Sequence, residues 1–252
     1  MKNTKLLLSS LLACAALTSA NAEIVADIGG DYIDASTLPA GWSYLYSNAA
    51  TGGTEVELTA NTLVGNAGNL GFEGDSTQNT PAILGAITAV DGELEVFTDG
   101  FEGHAAVVGT DLVLHPGNTA PTSFVIARYT FSAADMLYGT TADISGAFRD
   151  LGGGTTGVAE LSIIASVYHN STVLFSATGS AGRLFQADGT FNIGDVTVAE
   201  GDSISFVVDR NGHYAGDETA LSGKVSIPEP SSYALLLGSL GMVMVFARRR
   251  RA

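Results

Sequence analysis

Asp202-Ser203-Ile204-Ser205-Phe206-Val207-Val208-Asp209 is the stretch that decides the fold class. Its apolar residues recur at every second position, so Ile204, Phe206 and Val208 share one face of an extended chain, with Ser203, Ser205 and Val207 on the other. A helix would scatter the same residues around its circumference; only a strand gathers them. Leu221, Val225 and Ile227 repeat the pattern, as do Leu161, Ile163, Ala165 and Val167. After that row, His169-Asn170-Ser171-Thr172 supplies turn chemistry ahead of Val173-Leu174-Phe175, which predicts a hairpin. Further short runs lie at Glu55 to Thr59, Glu93 to Phe97, Asp111 to His115, Phe124 to Phe131 and Ala142 to Phe148. Helical periodicity is nearly absent. Strands joined by Gly-rich turns predict an all-β chain, a jelly-roll-like antiparallel β-sandwich of two packed sheets.

The two ends of the chain are different in kind. Lys2 and Lys5 precede an apolar run from Leu6 to Leu17, and Ala20-Asn21-Ala22 gives the small-x-small pattern that signal peptidase accepts. Residues 1–22 therefore read as a secretory signal peptide, with Glu23 first in the mature chain. A run of about 12 apolar residues is too short for a permanent span, which needs roughly 20. Leu11-Leu12-Ala13-Cys14 approaches a lipoprotein cleavage box, but Leu12 is bulky for its position and Cys14 lies early, with more apolar chain behind it. Cys14 is the single cysteine. A chain that starts at Glu23 thus builds neither a disulfide nor a thiolate site, and its stability must come from its core.

At the other end Pro228-Glu229-Pro230 leads through Ser231-Ser232 into an apolar stretch from Tyr233 to Ala247, closed by Arg248, Arg249, Arg250 and Arg251. Two prolines around one glutamate hold the backbone extended and remove two amide donors, so this segment joins neither a helix nor a central strand and stays open to an enzyme. As a transmembrane helix, residues 231–247 would be about 25 Å long. That is slightly short of a ~30 Å hydrocarbon core, a gap that arginine snorkelling and local thinning close. The arginine cluster 248–251 sets the C-terminus in the cytoplasm and the folded domain outside. This three-part tail, residues 228–252, closely resembles the PEP-CTERM sorting domain. The resemblance implies processing near the motif by an exosortase, a membrane protease-transpeptidase. It further implies a Gram-negative host that makes extracellular polysaccharide. Inner-membrane anchoring would then be transient, ending at the cell surface or in the extracellular matrix.

Between these signals, residues 23–227 carry 25 Asp or Glu against Arg128, Arg149, Arg183, Arg210 and Lys224, a formal net charge of −20. Such a surface repels nucleic acid, keeps an exported protein soluble, and offers carboxylates that divalent cations can bridge. About 205 residues without a charged linker or long low-complexity stretch predict one domain with one core. Within it, Phe124-Val125-Ile126-Ala127-Arg128-Tyr129-Thr130, Ala142 to Phe148, Val167 to Phe175, Val198 to Asp209 and Asp217 to Leu221 follow one another in an order that resembles jelly-roll modules of exported bacterial proteins. Those modules are similar to carbohydrate-binding modules. Gly41-Trp42-Ser43-Tyr44 and His115-Pro116-Gly117 are similar to stretches of such proteins too. The resemblance implies extracellular polysaccharide as a partner.

A sugar site needs a flat aromatic for the C–H face of a pyranose and fixed polar groups for its hydroxyls. The candidates are Trp42, Tyr44 and Tyr46, with Tyr214 in the loop Asp209 to Asp217. Alternation puts Trp42, Tyr44 and Tyr46 on one strand face, a pattern that reads as a core stripe before it reads as a platform. Asp209, Asn211 and Asp217 gather oxygen ligands suited to Ca²⁺, although the spacing is not that of an EF-hand and turn chemistry accounts for it equally.

Catalysis finds no motif. Gly74-Asp75-Ser76 and Gly201-Asp202-Ser203 open like a GDSL-type hydrolase block but read as turns, and His104, His115, His169 and His213 are scattered. With 25 carboxylates some pair always has a suitable separation, so a paired-carboxylate argument has no specificity. The sequence predicts a non-enzymatic, exosortase-sorted surface or matrix protein that associates with polysaccharide. The alternatives are a structural envelope protein without a ligand and a glycan-active enzyme.

Overall fold

The computed structural model of the chain describes residues 22–31, 38–62, 70–73, 82–84, 111–117, 124–150, 163–179, 189–211 and 219–228. The strands among them are β1 (Glu23–Asp27), β2 (Trp42–Ser47), β3 (Glu55–Glu57), β4 (Thr59–Thr62), β5 (Leu70–Glu73), β6 (Ala82–Leu84), β7 (Leu112–His115), β8 (Phe124–Thr130), β9 (Thr141–Asp150), β10 (Ile164–His169), β11 (Thr172–Thr178), β12 (Thr190–Thr197), β13 (Ser203–Asp209) and β14 (Thr219–Ile227). The helical content among the described residues is one 3₁₀ turn, Asp135–Leu137. The all-β expectation is met. One sheet runs β12-β9-β14-β7-β6-β5-β4, with β1 also paired to β14; the other runs β11-β10-β13-β8-β2-β3. Every pairing is antiparallel.

From β7 onward the chain passes between the sheets in a regular way. Strands β7, β9, β12 and β14 belong to the larger sheet, and β8, β10, β11 and β13 to the smaller. The inward rows read from the sequence meet in this gap. Ile204, Phe206 and Val208, then Leu221, Val225 and Ile227, then Ile163, Ala165 and Val167 all join one buried cluster; Leu161 lies outside the described residues. Aromatic rings bridge the two sheets. Phe191 of β12 meets Phe206 of β13 at 6.1 Å between centroids, and Phe148 of β9 stacks on Phe175 of β11 at 6.4 Å with 8° between planes. Each such ring contributes roughly 1.5–3 kcal/mol through burial, with a further increment from ring geometry. A second, smaller cluster of Leu45, Ile126 and Val207 lies on the outer face of the six-stranded sheet, with Ala50, Phe124 and Tyr168 packed against it.

Some boundaries differ from the sequence reading, each for a physical reason. The run Glu55 to Thr59 is split at Leu58. Glu55–Glu57 pairs with β2 in the smaller sheet, whereas Thr59–Thr62 pairs with β5 in the larger. Leu58 is buried at the crossing and its N–H donates to the Tyr44 carbonyl at 2.9 Å. Strands β1, β5, β6 and β12 have no counterpart in that reading. Within β12 the ladder slips between Ile193 and Val196, where Asp195 takes φ 59° and its N–H donates to Asp143 Oδ1 at 3.0 Å. This bulge breaks the period of two that would have revealed the strand. The expected hairpin is present: β10 and β11 pair from Ile164↔Thr178 to His169↔Thr172, and Asn170 at φ 53° gives the two-residue turn its twist. The run Glu93 to Phe97 lies outside the described residues, as do residues 1–21 and 229–252. Among the described residues no helix is long and apolar enough to cross a membrane.

Two glycines face each other in the middle of the β9–β14 pair, Gly146 opposite Gly223. A methyl group built on Gly146 would collide with the Ser222 carbonyl oxygen and lie 2.6 Å from Phe191 Cζ; on Gly223 it would collide with the Ser145 carbonyl oxygen and lie 3.0 Å from Ile28 Cδ1. Phe191, paired with Gly146 across β12–β9, covers the space that the missing side chains leave. Gly146→Val is therefore expected to destabilise by about 2–4 kcal/mol through forced overpacking, read as a lower urea midpoint. Gly194→Ala, whose nearest neighbour would be Asp143 Oδ1 at an ordinary 3.5 Å, is expected to change little. Equal midpoints for the two variants would contradict the close-approach account.

Candidate functional site

Antiparallel pairing gives the sandwich two poles. The connection Phe131–Thr140 joins the end of β8 to the start of β9. It is held by Phe131 N–H on the Asp202 carbonyl and Val198 N–H on the Thr140 carbonyl, both at 2.9 Å. The start of β13, the end of β12 and the end of β14 lie at this same pole, because Ser203 pairs with Thr130, Thr197 with Thr141 and Ser226 with Asp143. Ile227 is fully buried there, one residue before Pro228. Glu23 pairs with Ile227, so the expected signal cleavage after Ala22, an exposed residue, would leave β1 whole. Of the sorting residues, Pro228 is described, while Glu229, Pro230 and Arg248 to Arg251 lie outside the described residues, as does Ala20.

Carboxylates lock this tail-bearing pole. Asp202 accepts from Asn170 Nδ2 and from the Ala199 N–H, both at 2.9 Å, and lies 3.2 Å from His169 Nε2. Asn170 Oδ1 in turn accepts from the Ser203 N–H at 2.9 Å. The bond from Asn170, then those from Ala199 and His169, hold the Asp202 carboxyl below its ordinary range. Asp135 accepts from Tyr129 Oη at 2.9 Å and from the Ser132 N–H at 2.7 Å. Burial, followed by that bond, pushes the Tyr129 phenol well up, so it remains a donor. Gly201-Asp202-Ser203 is thus a turn, with Gly201 at φ 85°, and its serine is engaged in the lock rather than presented for attack. His115 ends β7 beside Ala82, at the opposite pole from His169; His104, His213 and Gly74-Asp75-Ser76 lie outside the described residues.

The opposite pole carries the connection between β13 and β14. Asp209 ends β13, and its Oδ1 accepts from the Asn211 N–H at 3.0 Å while Asn211 takes φ 41°. This is an Asx-type turn. Burial raises the Asp209 carboxyl, opposed by the Asn211 N–H and Arg210. Asp217 and Tyr214 lie outside the described residues, so the calcium set is described only at Asp209 and Asn211. Among the described residues no group of three or more His, Cys, Asp or Glu is placed to hold a metal ion.

Trp42 and Tyr44 require a correction as glycan contacts. Trp42 is 3% exposed and Tyr44 2%. The indole Nε1 donates to Asp31 Oδ2 at 3.0 Å, and the ring meets Tyr129 edge-on at 5.6 Å. Tyr46 is half-buried against the same cluster. The face they share points into the gap between the sheets, so Trp42 and Tyr44 are core and no sugar reaches them. The sequence reading missed a polar feature on the outer face of the six-stranded sheet. There Arg128 grips Glu55 with both terminal nitrogens, at 2.7 and 2.6 Å, while Nε donates to Ser205 Oγ at 2.9 Å. The Arg128 bonds hold Glu55 below its ordinary range despite some burial. Its signal was present: Val125, Ala127 and Tyr129 face inward, which leaves Phe124, Ile126 and Arg128 together outside. Arg149 pairs with Asp111, and Lys224 Nζ lies 3.5 Å from Asp27. These three cations are thus engaged by carboxylates, not gathered into a basic patch for phosphates.

Known proteins resemble the chain at its tail and in its sandwich. The family model of the PEP-CTERM protein-sorting motif matches residues 226–251, so the chain carries that sorting motif at its C-terminal end. No curated protein matches the chain. Solved structures similar to it include CBM51 from Clostridium perfringens GH95 in complex with methyl-galactose. Identity there is 16% over 46% of this chain and 69% of that one, with a TM-score of 0.29. Another is the M60 catalytic domain with the CBM51-1 and CBM51-2 domains from Clostridium perfringens ZmpB, at 12% identity over 75% of this chain and 20% of that one, TM-score 0.34. Both structures include a CBM51 domain. Superpositions this loose carry no site residue across.

The lock around Asp202 has a pH signature. Its folded pKa is depressed, so its contribution is present above the unfolded value, about 3.9, and is lost as pH falls through the folded value; Glu55 acts in the same sense. Asp202→Asn is expected to lower the urea midpoint at pH 7 and to flatten the decline of the midpoint on acidification. A variant whose midpoint runs parallel to the parent's at every pH would contradict this.

Proposed function

We propose that the chain is an exported, exosortase-sorted protein of the cell surface or extracellular matrix, non-enzymatic, that associates with extracellular polysaccharide. In this reading residues 1–22 are removed by signal peptidase. Residues 23–227 form a jelly-roll-like sandwich, residues 231–247 anchor it in the inner membrane, and Arg248 to Arg251 hold the C-terminus in the cytoplasm until exosortase acts near Pro228-Glu229-Pro230. The alternation of β7 to β14 between the two sheets is that of a jelly roll, which supports the first part. The observation that carries the whole is polarity. The sorting motif follows the last core residue at one pole, and the β13–β14 loop from Asp209 leaves from the other. An anchored sandwich would thus present that loop, with Tyr214, away from the membrane and toward whatever surrounds the cell.

Polysaccharide contact is assigned to this far pole, with Tyr214 as the aromatic and Ca²⁺ at Asp209, Asn211 and Asp217 as a bridge between acidic protein and acidic sugar. A protein without a ligand is the second reading, and the burial of Trp42 and Tyr44 favours it by removing the strongest aromatic platform. A glycan array and pull-down with the host's own polysaccharide, with and without Ca²⁺, separates them. The proposal expects Ca²⁺-dependent retention that falls with Asp209→Asn and Tyr214→Ala and weakens as acid protonates the raised Asp209 carboxyl. Indifference to every polysaccharide tested, in a folded protein, would leave the ligand-free reading.

A further inference from the structure

Six large apolar side chains are exposed among the described residues; Val56 and Val173 lie apart, on the two edge strands of the smaller sheet, and the other four gather at one pole. Leu137 is 84% exposed and Tyr138 42%, side by side in the connection between β8 and β9. Ile24, 48% exposed, sits on β1 opposite Ser226. Leu38, also exposed, lies three residues before Gly41, whose carbonyl accepts from the Thr130 N–H at the end of β8. All four are at the tail-bearing pole. The link to the tail is direct. Gly139 follows Tyr138, and a methyl group built on it would lie 2.9 Å from Ile227 Cγ2 and 3.7 Å from the Pro228 carbonyl oxygen.

Chain length then fixes what this pole faces. Between Ile227, buried in the core, and Ser231, the first residue of the expected helix 231–247, stand only Pro228, Glu229 and Pro230. A fully extended residue spans at most ~3.6 Å, so once residues 231–247 enter a bilayer the pole is held within roughly 15 Å of its surface. That reach is about twice the headgroup layer of one leaflet, roughly 5–7.5 Å, and short enough for the pole to touch it. From these observations we infer that the Leu137–Tyr138 tip, supported by Ile24 and Leu38, rests in the headgroup region and seats the sandwich upright while the tail is in place. Leucine and tyrosine suit that depth, the first for its apolar bulk and the second for a ring with a polar end. Glu23, Asp135, Glu200 and Asp202 belong to the same pole, so the contact favours zwitterionic over anionic lipid. The seat ends when the tail is cut, because two exposed side chains without an anchor hold a protein only weakly.

This inference rests on the reading that the tail enters the bilayer, and the experiment separates the two. The chain from Glu23 to Ala252 is reconstituted in phosphatidylcholine nanodiscs, with an environment-sensitive fluorophore on a single cysteine, either Leu137→Cys or Asn211→Cys. Resistance of the protein to carbonate extraction from matching vesicles reports tail insertion. The expected result is an inserted tail, blue-shifted emission at position 137 with strong quenching by lipids that carry a headgroup-level nitroxide, and neither effect at 211. An inserted tail with a water-like signal at 137 would overturn the seat alone. Extraction by carbonate would overturn the tail reading and the seat with it. Drying of position 137 only after the processing protease is added would assign the tip to that enzyme and overturn the lipid contact.

Discussion

Hydrogen bonding along both edges of β14 is the constraint on which the rest of the structure depends. One edge is occupied by β9 from Thr219↔Asp150 to Ser226↔Asp143. The other is shared end to end, β7 taking Thr219 to Leu221 and β1 taking Lys224 to Ile227. A strand paired on both sides has no free ladder for an incoming chain, and its inward residues Leu221, Val225 and Ile227 are fully buried. The Gly146–Gly223 approach brings β9 against this strand, and Phe191 fills the space above it. Strands β1 and β14 therefore pair within the larger sheet, and among the described residues the ladder ends at Ile227.

That closure explains why a sorting signal can sit directly behind the fold. Pro228-Glu229-Pro230 lacks the amide donors that would extend β14, so the ladder stops where the motif starts. The buried cluster of the described residues runs no further than Ile227. Under the proposed anchoring, the same prolines would leave little slack, holding the tail-bearing pole near the bilayer and turning the opposite pole outward. Charge is arranged within the sandwich as well: Arg128, Arg149 and Lys224 are engaged by Glu55, Asp111 and Asp27.

Much of the fold was legible because burial on one face writes a period of two into the sequence. Ile204-Ser205-Phe206-Val207-Val208 shows it, and the hairpin after His169 carried its own turn residues. Strand β12 was not legible because the bulge at Asp195 shifts its apolar residues from 191 and 193 to 196, breaking the alternation. Leu58 hid a change of sheet inside one apolar run, since a crossing chain keeps its hydrophobic pattern while it exchanges partners. At the candidate site, the tail was plain because proline, apolar length and arginine act locally. The fate of Trp42 was not, because a stripe of aromatics on a strand has the same spacing whether it faces the core or a sugar. Only the second sheet, with Tyr129 and Phe206 against the indole, decides that. The Arg128–Glu55–Ser205 group joins three strands far apart in sequence, which no single stretch could announce.

The central claim is that the sandwich ends at Ile227 and that sorting removes only residues C-terminal to it. The intact mass of the protein recovered from the surface of its host tests this most directly. The account predicts a chain that begins at Glu23 and ends at or just beyond Pro228, without the arginine cluster. A terminus inside β14, upstream of Val225, or a surface form that retains residues 231–251, would contradict it.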